Sequence, residues 1–240
     1  MAGLTTPLRT AVLISGRGSN LAALIRATEA ADFPAEIACV ISSRPDAPGL
    51  GHGRDAEVAA VALDHTAFAS RDAFDEAVQA ELDRHEVDFI CLAGFMRLFT
   101  AAFVTRWHNR MINIHPSLLP LYPGLHPQAQ ALEDRAAESG CTVHFVRHAT
   151  DTGPIIAQAR VAILPDDDAD RLAARILAAE HLLYPLALRL VAEGRVAIAG
   201  ETARVDGRGL VLPAGLSLAD VRVGSDRQPA ADAGFSSGTG

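Results

Sequence analysis

Thr10-Ala-Val-Leu-Ile-Ser15-Gly-Arg-Gly-Ser-Asn20-Leu-Ala-Ala-Leu-Ile25 passes from an apolar run, through Gly16 and Gly18, into a stretch with Leu21, Leu24 and Ile25 on one helical face. Strands buried on both sides read as such continuous runs, and apolar residues three and four apart mark a helix. The segment is therefore a strand, a tight turn and a helix, the opening of a βαβ unit.

The same alternation continues outward. Glu36–Ser42, Val58–Leu63, Asp88–Ala93, Met111–His115 and Cys141–Val146 read as further strands after Thr10–Ser15. Amphipathic stretches separate them. The clearest runs from Asp168 to Glu193, where Leu172, Ile176, Ala179, Leu183, Leu186 and Leu190 recur at helical spacing. The expected fold is α/β: a doubly wound, mostly parallel, Rossmann-like sheet in a single domain with a short C-terminal hairpin. That hairpin is expected over Arg204–Leu212, around Asp206-Gly207. The domain is expected to span 8–213. Residues 214–240 are expected to form a disordered tail, because Gln228 to Gly240 offers Phe235 as its one large apolar side chain. No internal repeat is visible.

A chain of 240 residues that is 49% hydrophobic and 21% charged can bury one sizeable core. Its net charge of -8 lacks the clustered Lys and Arg with which proteins neutralise nucleic-acid phosphates, so a small-molecule partner is expected. No apolar run approaches the roughly 20 residues that span a bilayer, and no signal segment opens the chain. A cytoplasmic protein without membrane contact is the expectation. Cys39, Cys91 and Cys141 are widely spaced within apolar runs and read as buried hydrophobes, and no pattern of metal ligands occurs.

The turn over Ser15–Asn20 has the outline of an anion site, since glycines admit close backbone approach and a helix N-terminus favours a phosphate. Ser19 and Asn20 can donate to a ligand or cap the helix. A plain capped turn reads equally well from this motif alone. A dinucleotide site is a further alternative, although Leu21 stands where the third glycine belongs and Ser42-Ser43-Arg44 replaces the ribose-binding acid. Arg44 suits a 2′-phosphate, which keeps an NADP-dependent oxidoreductase open.

Met111-Ile-Asn-Ile-His-Pro breaks the apolar rule for buried strands by placing Asn113 and His115 two residues apart. Residues i and i+2 point to one side of a strand. Both side chains then emerge together at a carboxyl end of the sheet, where open α/β sheets bind ligands. A carboxamide N–H and an imidazolium converging on one point can stabilise a developing oxyanion. A hydrogen-bonded structural histidine is the plainer alternative.

These segments, taken with Ala93-Gly-Phe-Met-Arg-Leu98, Asn113-Ile-His-Pro-Ser-Leu-Leu-Pro120, Gly140-Cys-Thr-Val-His144, Asp151-Thr-Gly-Pro154 and Glu180-His181, resemble the phosphoribosylglycinamide formyltransferases of purine biosynthesis. The resemblance runs from about Thr10 to about Gly200. It implies formyl transfer from the co-substrate 10-formyltetrahydrofolate to the amine of glycinamide ribonucleotide, without a metal, by a monomer or homodimer. It implies that Asn113, His115 and Asp151 are catalytic, Asp151 supporting a protonated His115. Gly18, Ser19, Asn20 and Glu180 would bind the nucleotide, and Arg71, Met96, Arg97, Leu98, Phe99 and Asn113 the folate. Leu121 and Gln128 depart from the family, which often carries a basic residue and a histidine there. Transfer RNA formyltransferases share the Asn-x-His-Pro core but need positive charge that this chain lacks. Formyltetrahydrofolate hydrolases share the chemistry and usually carry a preceding regulatory domain, for which the early first strand leaves little room.

Overall fold

The computed structural model describes residues 6–212. The tail expected over 214–240, and Pro213 before it, lie outside the described residues.

The first half alternates strand and helix: β1 (Leu8–Ile14), α1 (Ser19–Thr28), β2 (Ala35–Ser42), α2 (Gly49–Asp55), β3 (Ala59–Ala62), α3 (Arg71–Arg84), β4 (Phe89–Leu92), α4 (Ala101–Arg106) and β5 (Met111–His115). Then follow α5 (Pro127–Glu133), β6 (Glu138–Phe145), β7 (Ile155–Ala162), α6 (Ala169–Ala192), β8 (Val196–Ala199), β9 (Thr202–Val205) and β10 (Leu210–Leu212). The main sheet has eight strands in the order β10-β7-β6-β5-β4-β1-β2-β3. Its β3-to-β5 half is parallel throughout, β6 runs antiparallel to both neighbours, and β10 lies parallel to β7. The sheet is thus doubly wound and mostly parallel, as the alternation implied.

The C-terminal hairpin lies one element earlier than expected. Asp206 and Gly207 do turn the chain with φ of 49° and 82°, and Val205 and Arg208 exchange backbone bonds of 2.7 and 2.9 Å. Pairing ends there. β9 pairs back onto β8 instead, while Leu210–Leu212 joins the open edge of β7. Ala203 and Val205 enter the core from β9, so this placement buries apolar surface and gives β10 a ladder partner. Strand β7 also went unanticipated. Its run Ile-Ile-Ala-Gln-Ala-Arg-Val-Ala mixes buried residues with the exposed Arg160, so it lacks the continuous apolar signature of the inner strands.

Strand parity divides the interior into two layers. Val12, Ile14, Val40, Cys91, Ile112 and Ile114 pack with α1 and α6 on one face. Ala11, Leu13, Ile41, Ile90, Leu92 and Met111 pack with α3 and α4 on the other. Asn113 and His115 share the parity of Met111, so two polar groups interrupt the α3/α4 layer at its upper end. Cys39, Cys91 and Cys141 are buried free thiols in β2, β4 and β6. Burial pushes Cys39 and Cys91 up to about 12 and raises Cys141 as well.

Helix α6 begins at Asp168, whose carboxylate accepts the Arg171 N–H at 2.8 Å, and continues through Pro185. Tyr184, fully buried beside that proline, donates its hydroxyl towards the carbonyls of Leu92 at 2.9 Å and Ile112 at 3.3 Å. One side chain thereby fastens α6 to both β4 and β5. Replacing Tyr184 with Phe keeps the ring and removes the donor from a dry site. Urea denaturation should find this variant about 1–3 kcal/mol less stable; equal stability would mean that the hydroxyl contributes nothing to holding α6.

Candidate active site

A cleft of about 630 Å³ opens at the carboxyl ends of β1, β4 and β5. Order within the sheet explains its place. β1 lies between β2 and β4, so connections leave it towards opposite edges, and such a switch point leaves a crevice.

Gly18 precedes α1 with φ 72°, and a Cβ there would stand 2.7 Å from the Gly49 Cα. Left-handed backbone and contact with α2 together call for glycine. The helix start has no side-chain cap, contrary to the capping role open to Ser19 and Asn20. Asn20 instead turns its Nδ2 to Glu180 Oε2 on α6, donating at 2.7 Å. Asn20 and Glu180 line the cleft, whereas Gly18 and Ser19 lie outside its lining.

Asn113 and His115 project into the cleft from β5. Asp151 reaches them from the turn before β7, its Oδ2 3.4 Å from His115 Nδ1 and accepting the Gly124 N–H at 2.9 Å. His115 Nε2 lies 2.9 Å from the Tyr122 carbonyl oxygen, so that nitrogen donates, and both ring nitrogens face oxygen acceptors. His144 completes the cluster. It stands directly across from Asn113 on β6, with Nε2 3.2 Å from Asn113 Nδ2 and 3.6 Å from Asp151 Oδ1. Its Nδ1 lies 3.0 Å from the Phe145 carbonyl, which fixes a hydrogen on that nitrogen; in the neutral ring Nε2 then accepts from Asn113. Tyr122, His126 and Asp151 around this cluster hold φ of 53°, 58° and 54°. Left-handed backbone at non-glycine residues is costly and gathers at functional sites.

The opposite wall is apolar. Met96, Arg97, Leu98 and Phe99 line it, with Met96 and Leu98 68% and 61% exposed and Phe99 buried. Arg71 does not reach the lining; it opens α3 as an exposed residue. No sequence pattern assigns a role to His144, Phe95 or Leu125, yet all three line the cleft. Arg44, the residue on which the dinucleotide alternative turned, is paired with Asp46 at 2.8 Å. Among the described residues no group of three or more His, Cys, Asp or Glu is arranged to hold a metal ion, and no helix is long and apolar enough to cross a membrane.

Residues 8–188 match the family model described as formyl transferase. The chain belongs to that family. It is 44% identical over 199 residues to the phosphoribosylglycinamide formyltransferase of Escherichia coli, covering 83% of this chain and 94% of the relative. It is 52% identical over 195 residues to the trifunctional purine biosynthetic protein adenosine-3 of Drosophila melanogaster; that match takes in 80% of this chain but spans only 14% of the fly protein. The crystal structure of glycinamide ribonucleotide transformylase 1 from Symbiobacterium toebii superposes with a TM-score of 0.82 at 47% identity, covering 85% of this chain and 99% of the other.

Two carboxylates in this formyl transferase cleft are driven in opposite directions. Burial pushes Asp151 up, but the contact with His144, the Gly124 N–H and the facing His115 outweigh it and leave the carboxyl below its usual range. Glu180, 6% exposed, is raised by burial to about 7, and the Asn20 amide only partly offsets the rise. A folded-state value above the roughly 4.3 of an unfolded Glu means that folding favours the protonated form. The resulting stabilisation is complete below that unfolded value and is lost as pH rises through about 7. Calorimetry should therefore find Glu180→Gln close to wild type at pH 5 and more stable than wild type at pH 8. Parallel profiles across that interval would mean that Glu180 ionises freely in the folded protein.

Proposed function

We propose that this chain transfers the formyl group of 10-formyltetrahydrofolate to the amine of glycinamide ribonucleotide in purine biosynthesis. The observation that carries the reading is the meeting of Asn113, His115 and Asp151 at one point of a cleft that has a polar end at Asn20 and Glu180 and an apolar wall at Met96–Phe99. The names of the full-length bacterial relative and of the superposing crystal structure support it.

In this reading the nucleotide amine attacks the formyl carbon and the carbonyl oxygen becomes an oxyanion. Asn113 Nδ2 donates to that charge as it develops, and the His115 imidazole stabilises it by turning its Nε2 N–H from the Tyr122 carbonyl to the oxyanion. Asp151, 3.4 Å from Nδ1, holds the His115 ring in orientation. Collapse of the tetrahedral intermediate re-forms the carbonyl and breaks its bond to folate N10, which takes up a proton while the new amide nitrogen loses one. Asn20 and Glu180 hold the nucleotide from α1 and α6, with Gly18 and Ser19 at the phosphate. The pterin lies against Met96, Leu98 and Phe99, and Arg97 and Arg71 serve the anionic end of the folate.

Incubating the protein with both substrates should yield formylated glycinamide ribonucleotide by mass spectrometry, and folded protein giving no adduct would overturn the reading. Asn113→Ala should lower kcat by roughly 100-fold to 1,000-fold, the range for losing one oxyanion donor. A rise in KM at unchanged kcat would instead make Asn113 a residue of uniform binding.

A further inference from the structure

The chemistry above leaves two buried carboxylates of α3 without a task, Asp75 and Glu81, and Glu81 is paired with Arg84. Asp75, on α3 and 5% exposed, follows Phe74, whose ring stacks on Phe95 of the cleft wall. Its Oδ2 accepts two hydrogen bonds from a single residue, the Thr100 N–H at 2.8 Å and the Thr100 hydroxyl at 2.7 Å. Its Oδ1 is buried without a partner. Burial pushes this carboxyl up from its ordinary range, and the two Thr100 bonds pull it back only in part. An apolar side chain would avoid that desolvation cost, so what the carboxylate contributes is directed hydrogen bonding.

Thr100 is where that direction matters. It caps α4 by accepting the Phe103 N–H at 3.3 Å, and it ends the segment Gly94–Phe99, which has no regular secondary structure and supplies the apolar wall of the cleft. The early part of the segment is held at Met96, whose N–H donates to Ser15 Oγ at 2.8 Å. Between these points Phe95 stacks on Phe74 of α3 with centroids 6.4 Å apart, and on Phe99 at 5.1 Å. Ring stacking provides adhesion with a broad choice of offsets, whereas two hydrogen bonds to one residue fix its position.

We propose that Asp75 is a positioning residue for the folate side of the cleft: by holding Thr100 it sets the placement of Met96–Phe99. This rests on the reading that the wall receives formyl folate. Asp75 touches no substrate, and the nucleotide end at Asn20 and Glu180 is tied to α1 and α6 rather than to α3.

Isothermal titration with 10-formyltetrahydrofolate alone, and with glycinamide ribonucleotide alone, separates the two ends. Asp75→Ala should weaken folate binding about tenfold and leave nucleotide binding within about twofold. Asp75→Asn, which keeps an acceptor oxygen, should recover to within about threefold of wild type, and Thr100→Ser should match wild type. If Asp75→Ala does not fold, Thr100→Val, which removes the hydroxyl and its cap but keeps the N–H, should weaken folate binding about threefold with the nucleotide unaffected. Wild-type protein that binds folate while these variants bind it equally well would overturn the inference alone, as would equal losses for both ligands. Wild-type protein that binds no formyl folate would overturn the functional reading and this inference together.

Discussion

The Ser15 hydroxyl is the knot from which the cleft is organised. Its oxygen accepts the Met96 N–H at 2.8 Å and stands 2.7 Å from the Ser43 hydroxyl, joining the loops that follow β1, β2 and β4. Those loops diverge because the sheet grows in opposite directions from β1, and divergence is what creates the crevice. A crevice with untied rims would have no defined width. One small side chain, buried at the end of the first strand, joins the glycine turn to the apolar wall. The remaining placements follow from it: Asn20 beyond the turn, Phe99 beyond the wall, and β5 presenting its two polar groups next to β4.

Polarity within the cleft is graded. At one end Asp151 faces two imidazoles and a backbone N–H, an environment in which a carboxylate stays ionised. At the other end Glu180 has one amide donor and little solvent, so it holds a proton near neutrality and can donate as well as accept. Environments that push two acids apart assign them different work. Asp151 is suited to steadying a cation, and Glu180 to recognising neutral polar groups of a ligand.

The parallel half of the sheet could be read from composition because its strands are buried on both faces and therefore nearly all apolar. Asn113 and His115 were legible for the same reason, as polar interruptions of a pattern that tolerates few. What escaped is whatever depends on pairing between distant strands. His144 joins the cluster only because β6 runs antiparallel and sets it opposite Asn113, a register that no local spacing encodes. Asp151 was tied to His115 by family likeness alone, and its approach depends on a left-handed turn that the residues Thr-Asp-Thr-Gly do not announce. The hairpin went astray because Asp206-Gly207 is a sound turn signal that says nothing about which edge the next strand will choose. Glu180 too is legible through family likeness alone, since a lone acid on an amphipathic helix reads as a solvated face until α1 covers it.

The three thiols also bear on how this protein meets reactive small molecules. Each lies in a strand of the main sheet, and burial holds Cys39 and Cys91 protonated far above neutrality. Only thiolates react quickly with electrophiles and oxidants. Covalent labelling must then wait for strands to part, so the alkylation rate of Cys39, Cys91 and Cys141 is an internal clock for opening of the sheet.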